Sequence, residues 1–154
     1  MSTIHNLLAE YGESHQNELN KVIHWICVPL IFWSITALLW AVKLFTFQDI
    51  EVNLCMVILL LVWLYYIKLS PSLSLGLLLF ALACLGVNHW IESNFSTQTL
   101  VISAIIIFII SWIFQFYGHK VEGKKPSFLK DLQFLLIGPA WLMHFIYNRL
   151  GIKW

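Results

Sequence analysis

Charged residues are scarce in this chain of 154 residues. Asp, Glu, Lys and Arg together make up 11% of it, whereas a soluble globular domain carries about 25%. Hydrophobic residues account for 60% of the chain, and the mean hydropathy is +0.79. These values exclude a soluble domain and predict a single integral membrane domain over residues 1–154.

Several other features are missing. The net charge is only +1 and the basic residues are spread over many loops, which leaves no electrostatic footprint for nucleic acid. The three cysteines all lie in apolar runs without Cys-x-x-Cys spacing, so they are expected to behave as small hydrophobic residues. No basic stretch with a cleavage site opens the chain, so we expect no removable signal peptide.

Long apolar runs dominate what is present. Four runs have about the length of a membrane helix, at residues 22–45, 52–68, 70–90 and 99–117. The second spans only about 24 Å at 1.5 Å per residue, so it requires local thinning of the bilayer. The predicted fold is therefore an all-α membrane bundle of four transmembrane helices.

Two shorter segments flank these four runs. Apolar residues recur at helical spacing within residues 4–11, which predicts a short amphipathic N-terminal helix on the membrane surface. Residues 130–148 contain a shorter apolar stretch, 134–147, which falls below spanning length and holds Gly138-Pro139. We expect them to form a C-terminal interfacial or re-entrant helix.

Histidine and other polar residues gather at one end of this topology. His24 lies inside the first run, where an ionisable residue is costly and indicates a functional site. Asn20 lies four residues before it, on the same helix face. His15 precedes both residues, and His119 follows the fourth run, so four crossings bring these side chains to a common depth. His89 falls at the opposite end.

Imidazoles with a carboxylate suit ferrous iron that activates dioxygen, with zinc as the main competing metal. Glu122 lies three residues after His119 and shares its face if the helix continues past Tyr117. His144 is a further ligand candidate. The alternative is structural, since polar side chains in membrane bundles often bridge helices by hydrogen bonds. The residues alone leave these two interpretations about equal.

A resemblance favours the metal site. The motif Tyr11-x3-His15-x4-Asn20-x3-His24 with Pro29, and Gly118-His119 with Glu122, Pro126 and Gly138-Pro139, resembles the two signatures of the small multispanning 2-hydroxy fatty acid dioxygenases. Cys27 stands where that family commonly has glycine. The acidic residue follows His119 by three positions, whereas other branches place it four positions later.

The resemblance implies an enzyme that uses Fe(II) and dioxygen to shorten a 2-hydroxy long-chain fatty acid by one carbon, as in fatty acid α-oxidation and sphingoid-base breakdown. It implies His15, His24 and His119 as iron ligands, with Asn20 and Glu122 as catalytic partners. His144 matches no family position. A homo-oligomer stays open, as do the bacterial inner membrane and the endoplasmic reticulum as host membranes.

Three lysines close to His119 are candidates for binding the substrate. Lys120, Lys124 and Lys125 would hold the carboxylate at the membrane surface while the acyl chain lies among the spans. Their alternative role is to fix topology as positive residues on the cytoplasmic side.

Two functions of other classes compete with the enzyme. One is a non-catalytic membrane scaffold or lipid-binding protein with structural histidines. The other is a transporter, for which the single four-span unit shows no inverted repeat and would have to oligomerise.

We predict that both termini face the cytoplasm. With four crossings, every Lys and Arg except Lys43 falls in the loops and tails of one side, and basic residues favour the cytoplasmic side. A tag at either end should resist protease added to intact cells or spheroplasts, and should be cleaved by protease added to sealed microsomes, whose outer face is cytoplasmic. Cleavage in the first case, or protection in the second, would overturn this topology.

Overall fold

The computed structural model describes residues 3–13, 17–123 and 128–154. Within these ranges it leaves out the side chains of Thr3, Leu7, Glu10, Glu13, Glu122 and residues 128–136. Six helices and one two-stranded sheet follow one another in the described residues: α1 (Thr3–Glu13), α2 (Glu18–Trp40), β1 (Lys43–Phe47), β2 (Ile50–Asn53), α3 (Leu54–Leu69), α4 (Pro71–Asn94), α5 (Thr97–Glu122) and α6 (Phe128–Leu150). The predicted helical class is confirmed.

Within the part of the chain that the structure describes, three helices are long and apolar enough to cross a membrane: α2, α4 and residues 97–121 of α5. Helix α3 is equally apolar but has only 16 residues, which gives about 24 Å of length against a hydrocarbon core of about 30 Å. A fourth crossing thus stays a prediction. α3 packs beside α4 and α2.

A β-hairpin between α2 and α3 corrects the purely helical prediction. The first apolar run was expected to stay helical to residue 45, but α2 ends at Trp40 and α3 begins only at Leu54. Strands β1 and β2 pair antiparallel, and Gln48 and Asp49 between them both have positive φ. Two such residues form the type I′ turn that matches the twist of a hairpin.

Side-chain caps set the other boundaries. Asn17 accepts hydrogen bonds from the amides of Leu19 and Asn20 at the start of α2. Ser70 caps α4, with Pro71 at its first turn, where the missing N–H costs nothing. Helix α5 runs five residues beyond the predicted span and ends at Gly123, whose φ is +74°, a conformation suited to glycine.

Helices α2 and α5 make the most extensive contact in the fold. Ile23, Cys27 and Ile31 of α2 pack against Phe108 and Trp112 of α5. Farther along, Gly118 lies directly against Asn20, so that a Cβ at position 118 would overlap Asn20 Oδ1 and lie 3.3 Å from its Cγ. Small residues at such crossings let membrane helices approach closely.

The ends of the chain pack on this bundle. Helix α6 contacts α1, α4 and α2. Tyr147 of α6 donates to the carbonyl of Ser72 at 2.6 Å and accepts from the amide of Gly76 at 3.0 Å. Tyr11, Val28 and Trp141, from α1, α2 and α6, belong to one buried cluster. The two outer helices therefore cover the end of the bundle where α2 begins and α5 ends.

Gly118→Ala is expected to destabilise the protein by about 1–3 kcal/mol, because the added methyl group forces α2 and α5 apart. Gly86→Ala is the matched control: Gly86 lies within α4, and a Cβ there meets nothing within 4 Å. The control should be neutral or gain up to about 1 kcal/mol from helix propensity. Thermal unfolding in one detergent compares the two variants, and equal stability would contradict the close approach.

Candidate active site

His24 lies on the buried face of α2, one turn after Asn20. Its side chain is 4% exposed, and its Nδ1 lies 3.2 Å from the carbonyl oxygen of Asn20. A carbonyl can only accept, so Nδ1 is the donor in this contact and Nε2 faces away from it. Histidines that bind metals are commonly held in this way by a backbone carbonyl.

His119 meets His24 across the α2–α5 contact. It occupies the last turn of α5 and is 9% exposed. The two ring centroids are 6.2 Å apart with an angle of 83° between the planes. The structure thus brings together two of the three predicted ligands from helices that are far apart in sequence.

Asn20 is fully buried beside the histidine pair. Its side chain packs on Gly118, the residue before His119, and its carbonyl orients His24. Both contacts act through other residues, so the geometry assigns Asn20 the role of positioning the pair.

Tyr11 and Trp141 form an aromatic wall on the other side of His24. The Tyr11 ring centroid lies 5.8 Å from that of His24 at 76°, and the Trp141 ring lies 5.1 Å from Tyr11. Gly138 leaves room for this wall, since a Cβ there would lie 3.1 Å from the Tyr11 hydroxyl. Tyr11 and Gly138 were part of the sequence motif, but the motif gave them no role.

Gln115 is a buried polar residue close to His119 in α5 that sequence reasoning missed. It precedes His119 by one turn on the same face of α5 and is 4% exposed. Its Oε1 has no hydrogen-bond partner among the residues that the structure describes. A buried amide oxygen left in this state costs about 1–3 kcal/mol, so it needs a ligand, substrate or water. The available signal was a polar residue inside the most apolar span.

Several predicted site residues lie outside the described part of the chain. These are His15, Lys124 and Lys125, together with the side chain of Glu122. Lys120 is described and is exposed in the last turn of α5, adjacent in sequence to the buried His119. Its position suits the membrane surface.

His144 and His89 lie apart from the pair. The ring of His144 contacts Trp141, Phe145 and Trp154, and its Nδ1 donates to the carbonyl of Trp141. Burial lowers the pKa of His144, which favours the neutral ring. His89 packs against Trp40, and Trp40 lies about 24 Å along α2 from His24.

The described residues contain no group of three His, Cys, Asp or Glu side chains placed to hold a metal ion. They supply two buried imidazoles, one with its Nδ1 held by a carbonyl, and the buried amide of Gln115 one helical turn before His119. This set fits a metal ion as part of a site. A further ligand would have to come from the residues outside the described ranges, where His15 lies.

The fold and site define a helical protein whose apolar helices are long enough to span a membrane and whose buried polar centre lies at one end. Residues 1–150 match the family model described as 2-hydroxy-palmitic acid dioxygenase Mpo1-like. The chain is 31% identical over 146 residues to 2-hydroxy-palmitic acid dioxygenase MPO1 of Saccharomyces cerevisiae, with 94% of this chain and 79% of that protein covered. No solved structure matches it. The chain belongs to the Mpo1-like family.

Gln115→Leu is expected to separate activity from stability. If Gln115 is needed only for packing, replacing its buried amide by an isosteric apolar side chain should be neutral or stabilising. If Gln115 is instead a polar group of the site, its replacement should lower turnover or metal affinity by roughly 10–100-fold. The unfolding temperature should stay level or rise. Unchanged activity and iron content would remove Gln115 from the site.

Proposed function

We propose that this protein is an Fe(II)-dependent dioxygenase that shortens long-chain 2-hydroxy fatty acids by one carbon. The observation that carries the proposal is the buried His24–His119 pair in a chain of the Mpo1-like family. The yeast relative is named for the oxidation of 2-hydroxy-palmitic acid by dioxygen.

The proposed reaction balances with dioxygen as the only oxidant. A 2-hydroxy acid, RCH(OH)COOH, and O₂ give RCOOH, CO₂ and water. The bond between the first and second carbons breaks, the second carbon is oxidised to a carboxylic acid, and both oxygen atoms of O₂ are reduced. No separate reductant is required.

Ferrous iron, when bound, would supply coordination positions for dioxygen and for the carboxylate and hydroxyl of the substrate. His24 and His119 would hold it, with His15 as the third ligand. Asn20 keeps His24 in one tautomer and one orientation through its carbonyl. We expect about one iron per chain, or two if the imidazoles divide between two centres.

The chain's own residues also bind and shield the substrate. Lys120, with Lys124 and Lys125, is proposed to attract the carboxylate at the cytoplasmic face, and Glu122 to serve as a polar partner of the centre. Tyr11 and Trp141 cover the pair from the side of α1 and α6, which keeps bulk water away from it. Gln115 would orient the substrate or a ligand of the metal.

His24→Ala should abolish turnover and lower the iron content, while the protein stays inserted in the membrane because the first span becomes more apolar. His89→Ala is the matched control, a histidine in a membrane helix at the opposite end of the bundle. It should keep both activity and iron. The assay uses membranes supplied with ferrous iron, dioxygen and 2-hydroxypalmitic acid.

The reverse pattern, with His89→Ala inactive and His24→Ala active, would contradict the proposed centre. Wild-type protein that is purified anaerobically without chelators, is free of metal and cannot take up ferrous iron would favour the lipid-binding alternative.

A further inference from the structure

An apolar cavity of about 120 Å³ lies between α2, α4 and α6. Its walls include Val28 and Pro29 from α2, Leu77 and Phe80 from α4, and Pro139 and Ile146 from α6. All of its lining residues are apolar. A polar ligand in this space would lose its hydrogen bonds to water without replacement, so the cavity suits a hydrocarbon.

Two prolines within helices help to form the cavity. Pro29 and Pro139 each lie inside a long helix, and each lacks the N–H that would bond to the carbonyl four residues earlier. Such positions favour a bend in the helix. Both prolines line the same space, one on the α2 side and one on the α6 side.

The cavity lies close to the histidine pair along α2, with Val28 between them. This residue follows His24 by one helical turn, about 6 Å, and lines the cavity. Gly138, next to Pro139, lies where a Cβ would be 3.0 Å from Val28 Cγ1 and 3.1 Å from the Tyr11 hydroxyl. One layer of side chains therefore separates the apolar space from the polar centre.

We propose that this cavity binds the first segment of the acyl chain of the substrate, the methylene groups next to the hydroxyl-bearing carbon. The inference rests on the proposed function, which places the carboxyl end of a 2-hydroxy fatty acid at His24 and His119. A fatty acid has a polar carboxyl end followed by an apolar acyl chain. In the structure, a polar centre and an apolar cavity lie one helical turn apart.

The volume limits how much of the chain the cavity holds. A cavity of about 150 Å³ accommodates benzene, so 120 Å³ takes several methylene groups rather than a whole palmitoyl chain. The remainder leaves past Trp25 and Ile146, which line the cavity and are 42% and 39% exposed. The substrate would thus enter sideways from the lipid, with its tail still in the bilayer.

Photolabelling tests the binding site without requiring turnover. The probes are two 2-hydroxypalmitic acids, one with a diazirine a few carbons from the hydroxyl group and one with a diazirine near the methyl end. The first should label cavity residues of α2, α4 and α6, and unlabelled 2-hydroxypalmitic acid should compete. The second should label mainly lipid. Labelling of the first probe elsewhere, or without competition, would overturn the inference.

A pair of variants on α6 tests the same site by kinetics. Ile146→Trp fills the cavity mouth, and Leu150→Trp makes the same change one turn later at a residue that does not line it. Ile146→Trp should raise KM for 2-hydroxypalmitic acid about tenfold, from the cost of overpacking, with little change in kcat or iron content. Leu150→Trp should leave all three unchanged.

The outcomes separate this inference from the proposed function. Equal KM values for the two variants, in an enzyme that shortens the acid, would overturn the cavity assignment and leave the reaction standing. Competed labelling in the cavity of a protein that never turns over the acid would support the cavity and overturn the reaction.

Discussion

The close contact of α2 and α5 at Asn20 and Gly118 is the constraint on which the rest of the site depends. A glycine at 118 lets the buried Asn20 side chain lie against the α5 backbone. That spacing brings His119 to within 6.2 Å of His24 between ring centroids. A larger residue at 118 would separate two histidines that neither helix could bring together alone.

The outer helices convert this contact into an enclosed centre. Tyr11 from α1 lies against His24 and Trp141 from α6 lies against Tyr11, while Gly138 gives the tyrosine room. The site therefore combines a polar centre at one end of the bundle with an apolar cavity one turn farther along α2. A fatty acid has the same order of parts, a polar head and an apolar chain.

Much of the fold and of the candidate site was predictable from the sequence, and the features that were missed have physical causes. Long apolar runs fixed the helices, and the i, i+4 spacing of Asn20 and His24 placed them on one face. The hairpin at residues 43–53 was missed because residues such as Leu44 and Phe45 are as apolar as those of a span, and Gln48-Asp49 is not a common hairpin turn sequence. Gln115 was missed because one amide scarcely changes the hydropathy of α5, whereas its burial depends on α2. The roles of His15, Lys124, Lys125 and Glu122 stay predictions.

The most direct test is a double-mutant cycle on ferrous iron binding, measured anaerobically with wild type, His24→Ala, His119→Ala and the double variant. If both imidazoles hold one ion, each single variant should lose most of the affinity and the double variant little more, because ligands of one centre act as a unit. Losses of iron-binding free energy that simply add in the double variant would contradict a shared centre. A His119→Ala variant that binds iron like wild type would contradict it too.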